Sequence, residues 1–367
     1  MINALRVVFA GGGTGGHLYP AIAIAEAFQR RAPKFDCVFV GAARGLETRV
    51  IPPLGYRLEL MPVRGLLRKL TLSNLLAPVF LLKSIWQCLR LFKKFKPRLI
   101  IGTGGYVSGP ALFAAWLSGR KFVVQEQNSF PGLVNRWWGE RADLVFLSFE
   151  ESKKFFRRQK HLRVVGNPVR ANLAGGNREA AANKWNLKPD RVTLLVFGGS
   201  QGARRINELM LEILPRLAAL ENFQMLWATG PQNFDQIASR AANASNIKIV
   251  PYFDDMASAY TLADFALCRA GASTIFELTN CGLPSLLVPF PFATADHQTF
   301  NARALEEAGA ARLLIEKELT AEKLFDNLHE LTAKPEVRQI MSAAAKKLAR
   351  PHAADEIVEM CLSLLKN

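Results

Sequence analysis

The chain has 367 residues, half of them apolar, and a formal net charge of +16. That apolar content excludes global disorder, and the length favours two domains over a single core. The charge is lopsided: residues 1–166 hold 26 Lys/Arg against 9 Asp/Glu, whereas residues 167–367 hold 21 against 22, so a membrane surface or nucleic acid is expected to meet the first half.

The first apolar run, residues 5–10, leads into Ala10-Gly11-Gly12-Gly13-Thr14-Gly15-Gly16-His17 and then a helical pattern from about Pro20. Residues 1–6 enter that run directly, which leaves no room for a signal peptide. A second run covers 37–41. Residues 70–82 are uncharged but include Asn74 and Pro78, and at 13 residues they fall short of the ~20 needed to span a bilayer. Leu75, Leu76, Val79, Phe80, Leu82 and Trp86 form an apolar set ringed by Arg64, Arg68, Lys69, Lys83, Arg90, Lys93, Lys94, Lys96 and Arg98. Such a collar reads as a patch lying on anionic lipid, or else as a buried helix with a solvated basic end; the charge asymmetry favours the membrane.

Further runs at 99–102, 122–125, 144–147 and 162–165 complete the first half, and the join falls at Gly166-Asn167-Pro168-Val169-Arg170. The second half repeats the pattern with runs at 192–197, 223–228, 247–250, 265–268, 285–288 and 312–315. Continuous rather than alternating Val, Ile, Leu and Phe predict parallel strands covered on both faces. The expected architecture is therefore α/β: two Rossmann-like, doubly wound domains, 1–166 and 167–350, facing a cleft. A last helix near 353–365 is expected to pack back on the first domain. The five cysteines are scattered in apolar contexts without zinc spacing and read as buried free thiols of a reducing compartment.

Strand, glycine turn, helix aims unpaired N–H groups and a helix N-terminus at an anion. Besides the first loop, Gly102-Thr103-Gly104-Gly105-Tyr106-Val107-Ser108-Gly109-Pro110 and Phe197-Gly198-Gly199-Ser200-Gln201-Gly202-Ala203 have this form. Gly11, Gly13 and Gly16 also satisfy the G-x-G-x-x-G of dinucleotide enzymes. That reading wants an acidic residue after the second strand, where Arg44 stands instead, leaving only an NADP variant. His17 has no part in cradling a cofactor; next to an anion site at a helix start, which favours neutral imidazole, it reads as a general base. Cys268-Arg269-Ala270-Gly271-Ala272-Ser273-Thr274-Ile275-Phe276-Glu277 offers N–H groups to a diphosphate and a carboxylate to a ribose, and Asp296-His297-Gln298 suits sugar hydroxyls. Without an Asp-x-Asp clamp or a P-loop, helix N-termini are expected to handle the diphosphate, with no obligatory metal and no cofactor.

In order along the chain, Gly12-Gly13-Thr14-Gly15-Gly16-His17-x-x-Pro20, Gly104-Gly105-Tyr106-x-Ser108-Gly109-Pro110, Glu126-Gln127-Asn128, Gly166-Asn167-Pro168-Val169-Arg170, Gly198-Gly199-Ser200-Gln201-Gly202-Ala203, Arg269-x-Gly271-Ala272 with Glu277, and Asp296-His297-Gln298 resemble the bacterial peptidoglycan N-acetylglucosaminyltransferases that convert lipid I into lipid II. The resemblance covers nearly the whole chain. It implies a GT-B fold, with the lipid-linked acceptor on the N-terminal domain and UDP-GlcNAc mainly on the C-terminal one. It also implies donor contacts at Thr14, Gly15, Gly16, Asn128, Arg170, Ser200, Phe253, Ala272, Ser273, Thr274, Ile275, Phe276, Glu277 and Gln298, and acceptor contacts at Gly13, Tyr106 and Ser108. One departure is visible: Gln125 stands where the family commonly has histidine.

The resemblance implies an inverting transfer to the muramyl 4-hydroxyl, with His17 as base, the acceptor pyrophosphate on Gly13 to Gly16, and domain closure about residues 166–170. It further implies an undecaprenyl-pyrophosphoryl-MurNAc-pentapeptide partner, the cytoplasmic face of the inner membrane, other cell-wall synthesis proteins as partners, and no nucleic acid. Competing readings are a glycolipid synthase acting on diacylglycerol, a UDP-GlcNAc 2-epimerase, a UDP-GlcNAc-sensing membrane adaptor, and the NADP oxidoreductase.

Overall fold

The apolar runs form parallel strands because both faces of nearly every one are covered: Val7, Val8, Phe9, Leu99, Ile100, Leu194, Leu195 and Phe265 have no exposed surface. A computed structural model describes residues 4–43, 45–63, 77–170, 173–199, 202–241, 244–293 and 296–366. The chain divides into two units, residues 1–170 with 351–367, and residues 171–350.

In the first unit the strands are β1 (Leu5–Gly11), β2 (Phe35–Ala42), β3 (Arg57–Met61), β4 (Leu99–Gly104), β5 (Phe122–Glu126), β6 (Leu144–Leu147) and β7 (Leu162–Val164). They pair in parallel in the order β3-β2-β1-β4-β5-β6-β7. The second unit contributes β8 (Val192–Phe197), β9 (Phe223–Ala228), β10 (Ile247–Val250), β11 (Phe265–Cys268), β12 (Ser285–Leu287) and β13 (Ala311–Leu313), in the order β10-β9-β8-β11-β12-β13. Both sheets reverse their winding beside the first strand, between β1 and β4 and between β8 and β11. Doubly wound sheets bind ligands at that switch point, outside the carboxyl ends of the strands. The glycine turns after β1, β4, β8 and β11 lie at these four strand ends.

β3 is absent from the sequence reading. It is an edge strand whose Arg57, Leu60 and Glu59 are exposed, so it has no apolar run to betray it. Arg57 pairs with Asp36 at 2.7 Å and lies over the Phe95 ring.

The last helix, Ala353–Leu364, lies on the first unit. Ala354, Ile357, Val358 and Cys361 enter the same core as Ala21, Ile24 and Phe28 of the first helix, Gly15–Arg31. Asp355 holds Arg30 at 3.3 Å and Arg31 at 3.1 Å, and the Lys121 ammonium donates to Leu364 O at 2.6 Å. The five cysteines are free, four of them buried, and burial pushes the Cys37 and Cys88 thiols up to about 12.

Candidate active site

At the first switch point the glycine loop is already occupied by a carboxylate of the protein itself. Glu47, 1% exposed, accepts from Gly13 N at 2.9 Å and from Ala42 N at 2.6 Å. Gly12, Gly41 and Gly45 make room for it; a Cβ on Gly12 would come within 2.6 Å of the Glu47 carboxyl. The anion-cradling turn thus spends one N–H on an internal anion. An external pyrophosphate at Gly13 would have to compete with Glu47 for that N–H, whereas Gly15 and Gly16 offer open donors. Their N–H groups head the first helix and find no acceptor among the described residues. Thr14 is exposed at the N-cap position, and its hydroxyl does not cap the helix.

His17 sits half-buried on the first turn of that helix, with Nδ1 2.8 Å from Gln127 Oε1 and 3.1 Å from Thr103 O. Thr103 in turn donates its hydroxyl to His17 O at 2.8 Å, so the turns after β1 and β4 are stitched together. The close approach requires Gly104 and Gly105. Both have positive φ, 100° and 76°, and a Cβ on Gly104 would stand 2.8 Å from His17 Nδ1. Behind the histidine, Gln127 donates to Thr103 O at 2.7 Å, to Gln125 O at 3.1 Å and to Gln125 Oε1. Glu126, also buried, accepts from Asn128 N and Asn135 Nδ2 at 2.9 and 2.8 Å and so shapes the turn that carries Asn128.

Of the expected acceptor contacts, Tyr106 lies over Gly13, its phenol raised by burial and by the Glu47 charge. Ser108 does not present its hydroxyl: it is fully buried and donates to Gly105 O at 2.9 Å, tying the glycine turn to its helix. Arg170 lies over the Tyr19 ring at 5.2 Å, within the first unit.

In the second unit the helix Ala272–Cys281 opens behind Gly271 in extended conformation with no side-chain cap. Ala272, Ile275 and Phe276 are buried, so their side chains are part of the core. Glu277 is half-buried, and Tyr260 Oη donates to its Oε2 at 2.8 Å. Burial and the Glu277 charge hold the Tyr260 phenol well above its usual value, which keeps it a donor. Gln298 accepts from Phe290 N at 2.9 Å and fixes the loop after β12. Phe253 is 3% exposed and packs edge-on against Trp185, so its ring belongs to the core. Arg269 is spent structurally, on Glu316 at 2.5 Å and the carbonyls of Val288 and Pro289. Ser200 lies outside the described residues. Among the described residues no three His, Cys, Asp or Glu side chains gather as a metal site.

On the helix Ala77–Phe95, Val79, Leu82 and Trp86 are 60%, 67% and 57% exposed, and Arg90 lies over the Trp86 ring. Leu75 and Leu76 lie outside the described residues. The helices Ser108–Leu117 and Leu133–Gly139 pack successively alongside and add exposed Trp116, Leu117, Leu133 and Trp137, which the sequence reading missed. Among the described residues no helix is long and apolar enough to cross a membrane.

Two doubly wound sheets with glycine turns at both switch points are the architecture of the GT-B fold class. Residues 7–147 match the model of the glycosyltransferase family 28 N-terminal domain, and residues 193–357 that of the family 28 C-terminal domain. The chain is 44% identical over 354 residues, 95% of its length and 96% of the relative's, to the UDP-N-acetylglucosamine–N-acetylmuramyl-(pentapeptide) pyrophosphoryl-undecaprenol N-acetylglucosamine transferase of Prosthecochloris aestuarii. The crystal structure of MurG from Acinetobacter baumannii is similar at a TM-score of 0.75 and 29% identity, over 98% of this chain and 99% of that one. The chain belongs to this family of N-acetylglucosamine transferases. A UDP-N-acetylglucosamine 2-epimerase, 15% identical with a TM-score of 0.69 over 99% of this chain and 97% of its own, shares the fold alone.

Proposed function

We propose that the chain transfers N-acetylglucosamine from UDP-GlcNAc to the 4-hydroxyl of MurNAc-pentapeptide-pyrophosphoryl-undecaprenol, with inversion, in peptidoglycan synthesis. The observation that carries this reading is identity of 44% along nearly the whole chain to a transferase of that name. In the transfer, the acceptor O–H proton passes to His17 as the oxygen attacks the anomeric carbon. The bond from that carbon to the phosphate oxygen breaks, and its electron pair leaves with UDP. His17 sits on a helix N-terminus at a switch point, the location where this fold binds ligands.

On this reading the donor contacts of the second unit are Ser200, Gln298, the main chain at Phe253 and the segment Ala272 to Glu277, and those that the resemblance implies in the first unit are Thr14, Gly15, Gly16, Asn128 and Arg170. The Ala272–Cys281 N-terminus meets diphosphate charge, and Glu277, oriented by Tyr260, takes the ribose hydroxyls. The acceptor pyrophosphate lies on the same glycine loop beside Tyr106, so Gly15 and Gly16, whose N–H groups have no acceptor among the described residues, serve both substrates. The exposed apolar side chains from Val79 to Trp86, with Lys83, Arg90, Lys93 and Lys94 on the same helix, rest on anionic lipid at the cytoplasmic face and admit the lipid-linked substrate.

The test is transfer of radiolabel from UDP-GlcNAc to a short-chain lipid I analogue in detergent, with EDTA in a parallel tube. Labelled disaccharide-lipid, lost in His17→Ala and unaffected by EDTA, is expected. UDP-GlcNAc binding without transfer would refute the acceptor assignment.

A further inference from the structure

The polar groups behind His17 have only one consistent proton arrangement. Thr103 O and Gln125 O are main-chain carbonyls and can only accept. The Gln127 side-chain atom 2.7 and 3.1 Å from them is therefore its NH2. Its other atom, 2.8 Å from His17 Nδ1, is then the carbonyl oxygen. Thr103 O, 3.1 Å from the same nitrogen, is a second acceptor. Nδ1 thus faces two acceptors and no donor, so it must carry the hydrogen. In neutral imidazole the lone pair is then on Nε2, which has no hydrogen-bond partner among the described residues.

Gln127 is itself locked. It is 1% exposed, and Gln125 Oε1 accepts from it, while the Gln125 amide donates to Asn167 Oδ1 at 3.2 Å and Ser148 Oγ at 3.3 Å. We infer that Gln127 is a positioning residue that fixes His17 as the Nδ1–H tautomer, with Gln125 as its anchor. The catalytic consequence rests on His17 being the base: only this tautomer presents a proton-accepting nitrogen away from the protein frame. The partner is an amide rather than a carboxylate, so it selects the tautomer by dipole and adds no charge beside an anion site. Gln125 suits the arrangement because an amide both accepts from Gln127 and donates to Asn167.

The test is 15N NMR of the full-length enzyme labelled at histidine ring nitrogens, its five histidines assigned at His17 by loss of that signal in His17→Ala. In the wild type the expected pattern is a protonated Nδ1 and an unprotonated Nε2. In Gln127→Leu only the more distant Thr103 O, at 3.1 Å, is left to hold Nδ1–H, so an Nε2–H fraction should appear beside the Nδ1–H form and kcat fall by about 10- to 100-fold, the range for loss of a group that orients a metal-ligating histidine. KM for UDP-GlcNAc should stay within about twofold, because Gln127 is proposed to touch no substrate. A wild-type His17 bearing hydrogen on Nε2 overturns the inference without recourse to any variant. So does a folded Gln127→Leu enzyme with unchanged tautomer and turnover. Full turnover in His17→Ala overturns instead the base reading, whatever the tautomer.

Discussion

Glu47 illustrates how a residue without a recognisable motif shapes the site. Its buried carboxylate accepts from both Gly13 N and Ala42 N, and three glycines shed their Cβ atoms to admit it. Glu47→Ala strands both N–H groups and leaves a void. With an unmade buried bond costing ~1–3 kcal/mol, we expect a loss of about 3 kcal/mol, read as a fall in Tm of roughly 6–12 °C. KM for the lipid acceptor should rise as well, since the loop that presents Gly15 and Gly16 loses its anchor. Unchanged stability would show that the carboxylate is not what holds the loop. His17 was legible from its place after a glycine run, and Glu126-Gln127-Asn128 from the family pattern. Glu47 and Tyr260 were not, because what marks them is contact across 34 and 17 residues of chain. In hindsight Gly41 and Gly45, just before Glu47, were the one local trace.

At the scale of elements, the buried strands announced themselves as unbroken apolar runs and the edge strand β3 did not. The helix Ala77–Phe95 shows the converse limit. Its period places Ser84, Ile85, Cys88, Phe92 and Phe95 in the core, yet Leu82 and Trp86 stay largely exposed. An apolar residue in sequence does not say which face is covered; here the neighbouring helices leave one side open and extend it with Trp116 and Trp137. Leu82→Glu with Trp86→Glu should lower binding to vesicles containing anionic phospholipid by about tenfold or more, while UDP-GlcNAc affinity is unchanged. Equal vesicle binding by the variant would remove this face from the membrane reading.

For the whole molecule, the C-terminal helix makes the first unit discontinuous in sequence: its core closes only when residues 351–366 return to the first helix. Ile357, with no exposed surface, is central to that seam. Ile357→Asp places an unpaired charge there, and calorimetry should show the first unit destabilised by more than about 3 kcal/mol. An unaltered melting profile would mean the seam contributes little. What the sequence determined by itself was the pair of doubly wound sheets, the glycine turns and the candidate base, because strand burial and turn chemistry act over a few neighbouring residues. The tertiary structure alone decided which of those groups are still free. It gave Gly13 to Glu47, Ser108 to Gly105 O, the Phe253 ring to Trp185, and His17 Nδ1 to Gln127 and Thr103. Hydrogen bonds and close packing are satisfied between residues far apart in the chain, and one-dimensional spacing carries no record of who claims whom.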